Sequence, residues 1–240
     1  MSRVIEQRRG LFQIIFLSFS ITIAVFLLLL ILAMIYYPGG NFAGEDIAGY
    51  SLLYNGLCDM RESTAVNHEP NLVSSILLKI GIVILSIATI IFFVALSFLF
   101  QDRRITKYLS IIGSFFGIIQ GPFNALVIFS HVPFNIHMVF VIIAPLFQYL
   151  AVILYTIVYF IDRGLPKLNW YSFLVLSIAA ILLSIFVGIA SGIGGDFNFI
   201  TQRLGTNLFN FLGIIIYIIQ GLSLYFYLKK PDKLPNGEIN

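Results

Sequence analysis

The residues able to do chemistry in this chain are few, and most of them gather at one end of its apolar segments. His68, His131 and His137 lie in segments that leave the same end as Asp59, Glu62 and Glu69. Imidazole and carboxylate together can move protons or hold zinc, and water on such a zinc ion becomes a nucleophile near neutral pH. No two histidines have the i, i+4 spacing of a helical metal motif, so spacing gives zinc no support and no cofactor is expected. Asp59 and His137 remain as the candidate acid–base pair for catalysis. No G-x-S-x-G elbow, P-loop or CxxC is present, so the hydrolases, nucleotide hydrolases and oxidoreductases built on them lack their signatures.

Polar residues within apolar runs mark function, because each costs insertion energy unless it is partnered. Gln120, Asn124 and His131 stand at i, i+4 and i+11; His137 and Gln148 stand eleven apart; Ser75, Lys79 and Ser86 repeat the pattern. Each set shares one helical face. Lys79 is the one cation inside a run. It either snorkels to the headgroups along its flexible stem or holds a carboxylate or phosphate.

The elements that must position these groups are six apolar runs, at about 11–37, 72–100, 108–130, 137–161, 171–193 and 205–228. A transmembrane helix needs about 20 such residues. The runs hold no Asp, Glu or Arg. The chain is 10% charged with a mean hydropathy of +0.98, where soluble domains carry roughly 25% charge. The fold class is therefore all-α: one integral membrane domain, a six-transmembrane-helix bundle. Eleven of the fourteen Lys and Arg residues fall on one side of the runs, leaving Arg61 and Arg203 on the other. Positive charge stays inside, so both termini, the tails 1–10 and 229–240, are expected in the cytoplasm of a cell-membrane protein. The loop 38–71 and residues 194–206 then face outward. The basic clusters are too small for nucleic acid.

Within the outer loop, Ile47, Tyr50, Leu53, Tyr54, Leu57 and Met60 form an apolar stripe and Ser51, Asn55, Asp59 and Glu62 a polar one. That periodicity predicts a short amphipathic interfacial helix, with Asp46 as its N-cap. Gly113, Gly117 and Gly121 in the third run, and Ala180, Ser184, Gly188 and Gly192 in the fifth, recur every four residues. Small residues let backbones approach, which predicts both helices at the bundle centre. Pro122 and Pro145 free the carbonyls of Ile118 and Val141.

Tyr37-Pro38-Gly39-Gly40, Gly49-Tyr50-Ser51-Leu52, Asn55 through Asp59, Asn71, His137 and Gln202-Arg203 resemble the six-helix prokaryotic membrane family called domain of unknown function 998. The chain departs from that pattern at Cys58 and at Met60-Arg61. The resemblance implies a six-helix bundle with Ser51, Asn55, Asp59, Asn71, His137 and Arg203 as weighted positions. All lie on the outer side, where the polar residues already converge.

The reading that follows is a protein that binds or senses a lipid headgroup or small polar ligand in an outward-facing polar cavity. Ser51, Asn55, Asp59, Glu62, Lys79, Asn124, His131, His137 and Arg203 would line it, with Lys79 beneath a shared Asp59–His137–Arg203 site. Membrane lipids are the expected partners. A lipid-modifying hydrolase-type enzyme using Asp59 and His137 is the alternative. A small transporter is a second, resting on mid-membrane Gln120 and Gln220 and a faint repeat between the third and sixth runs.

Overall fold

A computed structural model describes residues 7–129 and 134–230. Six helices account for nearly all of it: α1 Arg9–Ile35, α2 Leu72–Ser97, α3 Arg104–Phe129, α4 Phe134–Asp162, α5 Lys167–Ile193 and α6 Gly195–Lys229. All six are long and apolar enough to cross a membrane. Each packs on its neighbours in sequence and α6 returns to α1, which closes an up-and-down ring. One end of the ring carries the long loop 38–71 and the other carries the tails; they are the loop end and the tail end below.

Local sequence explains the packing. On α1, Phe12, Phe16, Phe19, Ile23, Phe26, Leu30 and Ala33 are buried, a strict four-three spacing that puts a single seam against its neighbours. Ser20 on that helix donates to the Ile218 carbonyl at 3.1 Å, and Gly221 of α6 lies so close that a Cβ there would meet the Phe16 carbonyl at 2.7 Å. The third-run glycine ridge packs as expected. A Cβ on Gly117 would fall 2.3 Å from the Phe93 ring of α2, and one on Gly113 would fall 3.1 Å from Tyr155 of α4. The fifth-run ridge does not: Ala180 is buried, but Gly188 and Gly192 have no described neighbour within 4 Å of such a Cβ. Of the two ridges, the one on α3 is packed along its length.

The tail half of the ring is filled by Phe92, Phe93, Tyr155, Phe173 and Tyr217 in edge and tilted contacts, which aromatic quadrupoles favour. Several of its buried polar groups are partnered. Gln220 donates to the Asn169 carbonyl at 2.7 Å and to Ser172 at 2.9 Å, and its Oε1 accepts from Asn169 at 2.6 Å. Gln220 therefore serves α5–α6 packing. Gln120 of α3 is also buried, and its Oε1 has no partner.

Two expectations about the connections are corrected. The connection expected at 194–204 is a single tight turn, since Gly194 and Gly195 both have a positive φ that any Cβ would strain, and residues 195–206 already belong to α6. The amphipathic loop helix is replaced by a β-hairpin, β1 Gly39–Asn41 with β2 Gly44–Ala48, and a short 3-10 turn at Leu57–Arg61. Asp46 lies in β2, not at a cap. Gly39, Gly40 and Gly49 adopt positive φ, and Asn41 Oδ1 accepts the Ala43 N–H at 2.9 Å. Of these glycines, Gly49 falls inside the predicted helix, and a continuous helix cannot contain its turn.

Candidate functional site

The loop is fastened to the ring by side chains, and these are largely the residues singled out above. Asn55 is wholly buried. Its Oδ1 accepts the Ser51 N–H at 2.9 Å, and its Nδ2 donates to the Gly40 carbonyl at 2.9 Å and to Asp59 Oδ2 at 3.1 Å. Asp59 Oδ2 also accepts the Gly56 N–H at 2.9 Å. Asn207 of α6 reaches up to donate to the carbonyls of Leu52 and Asn55 at 2.8 and 2.9 Å. Asn71, ahead of α2, donates to the carbonyls of Met60 and Glu62 at 3.2 and 2.9 Å. Ser75 donates to the Arg61 carbonyl at 2.6 Å.

Two guanidinium groups flank this hydrogen-bonded knot. Arg203 of α6 meets Asp59 Oδ1 at 3.5 Å and is one-third exposed. Gly56 makes that approach possible without any unusual φ: a Cβ there would lie within bonding distance of the guanidinium. Arg61, on the same 3-10 turn as Asp59, meets Glu62 at 2.7 Å and donates to the Val127 carbonyl of α3 at 3.3 Å. Its terminal nitrogen also lies 3.2 Å from His137 Nε2 and closer still to Nδ1. A guanidinium can only donate, so the ring nitrogen it bonds is an unprotonated acceptor.

The shared Asp59–His137–Arg203 site therefore resolves into two pairs. Asp59 goes with Arg203, and His137 goes with Arg61, a residue the sequence reading left aside. Its signal was available: Arg61 is the sole Lys or Arg in the loop 38–71. Lys79 is half-buried beside Ile76, Ile80, Val83 and Phe129 in an apolar groove on the outside of the bundle, a setting that suits snorkelling. Asn124 is half-buried on α3. His131 lies outside the described residues. His68 is exposed, 3.6 Å from Glu45 on the hairpin. Among the described residues no three His, Cys, Asp or Glu side chains gather into a metal site. The loop touches α2, α3, α4 and α6 through the bonds above, so these polar groups meet in a seam beneath it.

Cys58 sits in the same turn. Burial, then the adjacent Asp59 carboxylate, push its thiol up to about 11. Only the thiolate is nucleophilic. Alkylation of the folded protein by iodoacetamide at pH 8 is expected to run about 100-fold slower than that of an ordinary thiol, and to rise tenfold per pH unit up to about pH 11. Denaturation should restore the ordinary rate, which a mass-spectrometric time course reads directly.

Comparison with protein-family models, with curated proteins and with solved structures finds no match for this chain.

Proposed function

We propose that this is a multi-pass cell-membrane protein with both termini in the cytoplasm, whose outward loop end binds an anionic headgroup or small anion between Arg203 and Arg61. The observation that carries the reading is the state of Arg203. It is one-third exposed and meets Asp59 by one long contact, while the other oxygen of Asp59 is taken by Asn55 and Gly56. Most of its planar fork is left to a ligand, and such forks match phosphate and carboxylate bidentately. The knot below holds the fork in place, so little ordering cost falls on binding. The short motifs that resemble the domain of unknown function 998 family fall on the same site: Ser51, Asn55, Asp59, Asn71, His137 and Arg203 all take part in this seam.

The enzyme alternative fares worse on one point. General acid–base work by Asp59 and His137 asks for a common reacting atom within hydrogen-bond reach, and each instead engages a different arginine. The transporter alternative loses Gln220, which is consumed in packing.

The test uses thermal stabilisation, since a ligand that binds only the folded state raises its stability. Glycerol phosphate titrated into the purified protein is expected to raise its melting temperature. Arg203→Gln should remove that rise, because a charge-assisted hydrogen bond is worth about 1.5–3 kcal/mol. Gly56→Ala should remove it too, by displacing the guanidinium while leaving the charge. An equal rise in parent and both variants would contradict the assignment.

A further inference from the structure

Thr156 of α4 and Ser177 of α5 hydrogen bond side chain to side chain at 2.9 Å, and both are buried. Residues seven apart on a helix are about two turns apart and share a face. Stepping by seven along α5 toward the loop end leads from Ser177 to Ser184 and Ser191, and both are exposed. The same step along α4 leads from Thr156 to half-buried Tyr149 and then to Ile142, which is 62% exposed. The two helices that touch in the tail half therefore part in the loop half. Their aromatic contacts, Tyr155 and Tyr159 with Phe173 and Phe160 with Trp170, all lie below the divergence.

The parting leaves a defined cleft and not a frayed helix. At its loop end α5 stays on α6, where Leu183 lies over Gly205 and Ala190 is buried. Behind the gap long side chains of α4 reach across to α6, with Tyr149 and Phe209 5.0 Å apart and Gln148 Nε2 3.5 Å from the Tyr217 hydroxyl. The result is a wedge, walled by α4 and α5, backed by α6, and closed at the Thr156–Ser177 bond.

We infer that this wedge is a binding site for the acyl chain of a lipid from the outer leaflet, whose phosphate headgroup is held at Arg203. The inference rests on the headgroup reading and deepens it by naming the ligand as a whole lipid. The wedge lies on helix segments of the hydrocarbon zone, and Ile142, Ile181 and Leu146 on its walls are exposed, so its occupant is apolar. It narrows to nothing over about four turns, roughly 20 Å. A helix about 10 Å across cannot follow it to the apex, whereas a single hydrocarbon chain can. Arg203, half-buried Asn210 and buried Tyr217 descend α6 at seven-residue steps, which links the headgroup position to the back of the wedge on one helix face.

Ser184→Trp and Ile142→Trp fill the wedge from opposite walls at exposed positions, and Ile178→Trp, 49% exposed on α5, is the control. The probes are dioleoyl phosphatidylglycerol, retained through detergent purification and measured by mass spectrometry, and water-soluble glycerophosphoglycerol. Both wedge variants are expected to retain at least about tenfold less dioleoyl lipid than the control, a loss of about 1.4 kcal/mol, with glycerophosphoglycerol binding unchanged. Retention equal to the control in both variants overturns the inference. So does a parent dimer that both variants make monomeric with lipid retention intact, since a second copy then occupies the gap. Failure of the headgroup reading looks different: glycerophosphoglycerol does not bind the parent and Arg203→Gln leaves dioleoyl retention untouched.

Discussion

Replacing Gly117 by Leu is expected to destabilise the bundle strongly. The first added carbon would fall 2.3 Å from the ring of Phe93, and that ring cannot step aside. Phe93 is wholly buried and packed against Phe92, Tyr155 and Tyr217. Overpacking a well-filled core costs about 1–3 kcal/mol, and the remaining carbons of Leu put this site at the top of that range. At roughly 2–4 °C per kcal/mol for a chain of this size, the melting temperature should fall by about 6–12 °C. Gly188→Leu adds the same atoms to open space on α5 and should melt within about 2 °C of the parent. Equal losses in the two variants would mean that the third-helix ridge is not the close-packed one.

The second large effect is expected at Asn55, where one buried amide holds three parts of the loop. Asn55→Ala removes the bonds to the Ser51 N–H, the Gly40 carbonyl and Asp59. A buried polar group left unpaired costs about 1–3 kcal/mol, and the Ser51 N–H and Asp59 carboxylate both lose a partner. The cost should appear locally, because the loop can open without separating the six helices. Hydrogen exchange should therefore speed up at Ser51, Gly56 and Asp59 while the amides of α1 and α2 keep their protection. Unchanged exchange through the 3-10 turn would show that the knot does not depend on Asn55.

The six helices were legible in the sequence because charge is confined between them, and a long uncharged run has few alternatives to a helix in hydrocarbon. The α3 ridge was legible for a similar reason: Gly113, Gly117 and Gly121 have no other use at that spacing. The α5 ridge misled, since small residues reveal where backbones can approach but not whether a partner arrives. The loop misled for a different reason. Its apolar residues at 47, 50, 53, 54, 57 and 60 follow a helical period, yet positive φ at Gly49 and the Asn55 side chain fold it into turns. Met60 is buried, Tyr50, Leu53, Tyr54 and Leu57 are half-buried without a helix, and Ile47 is left exposed. Likewise Asp59 and His137 were placed at the correct end, but the pairing was decided by two arginines. Arg61 was set aside as a departure from a family pattern, although a lone cation in an acidic loop is a natural partner for a buried acceptor.

The most direct measurement is lipid binding by native mass spectrometry, comparing dioleoyl phosphatidylglycerol with dioleoyl phosphatidylcholine on the parent and on the Arg61→Gln, Arg203→Gln double variant. The parent should carry the anionic lipid in preference to the zwitterionic one by at least about tenfold, and the double variant should lose that preference while keeping its fold. Losing two charge-assisted contacts of about 1.5–3 kcal/mol each is ample for such a change. A preference for phosphatidylglycerol that persists undiminished in the double variant would contradict an anion site at the loop end.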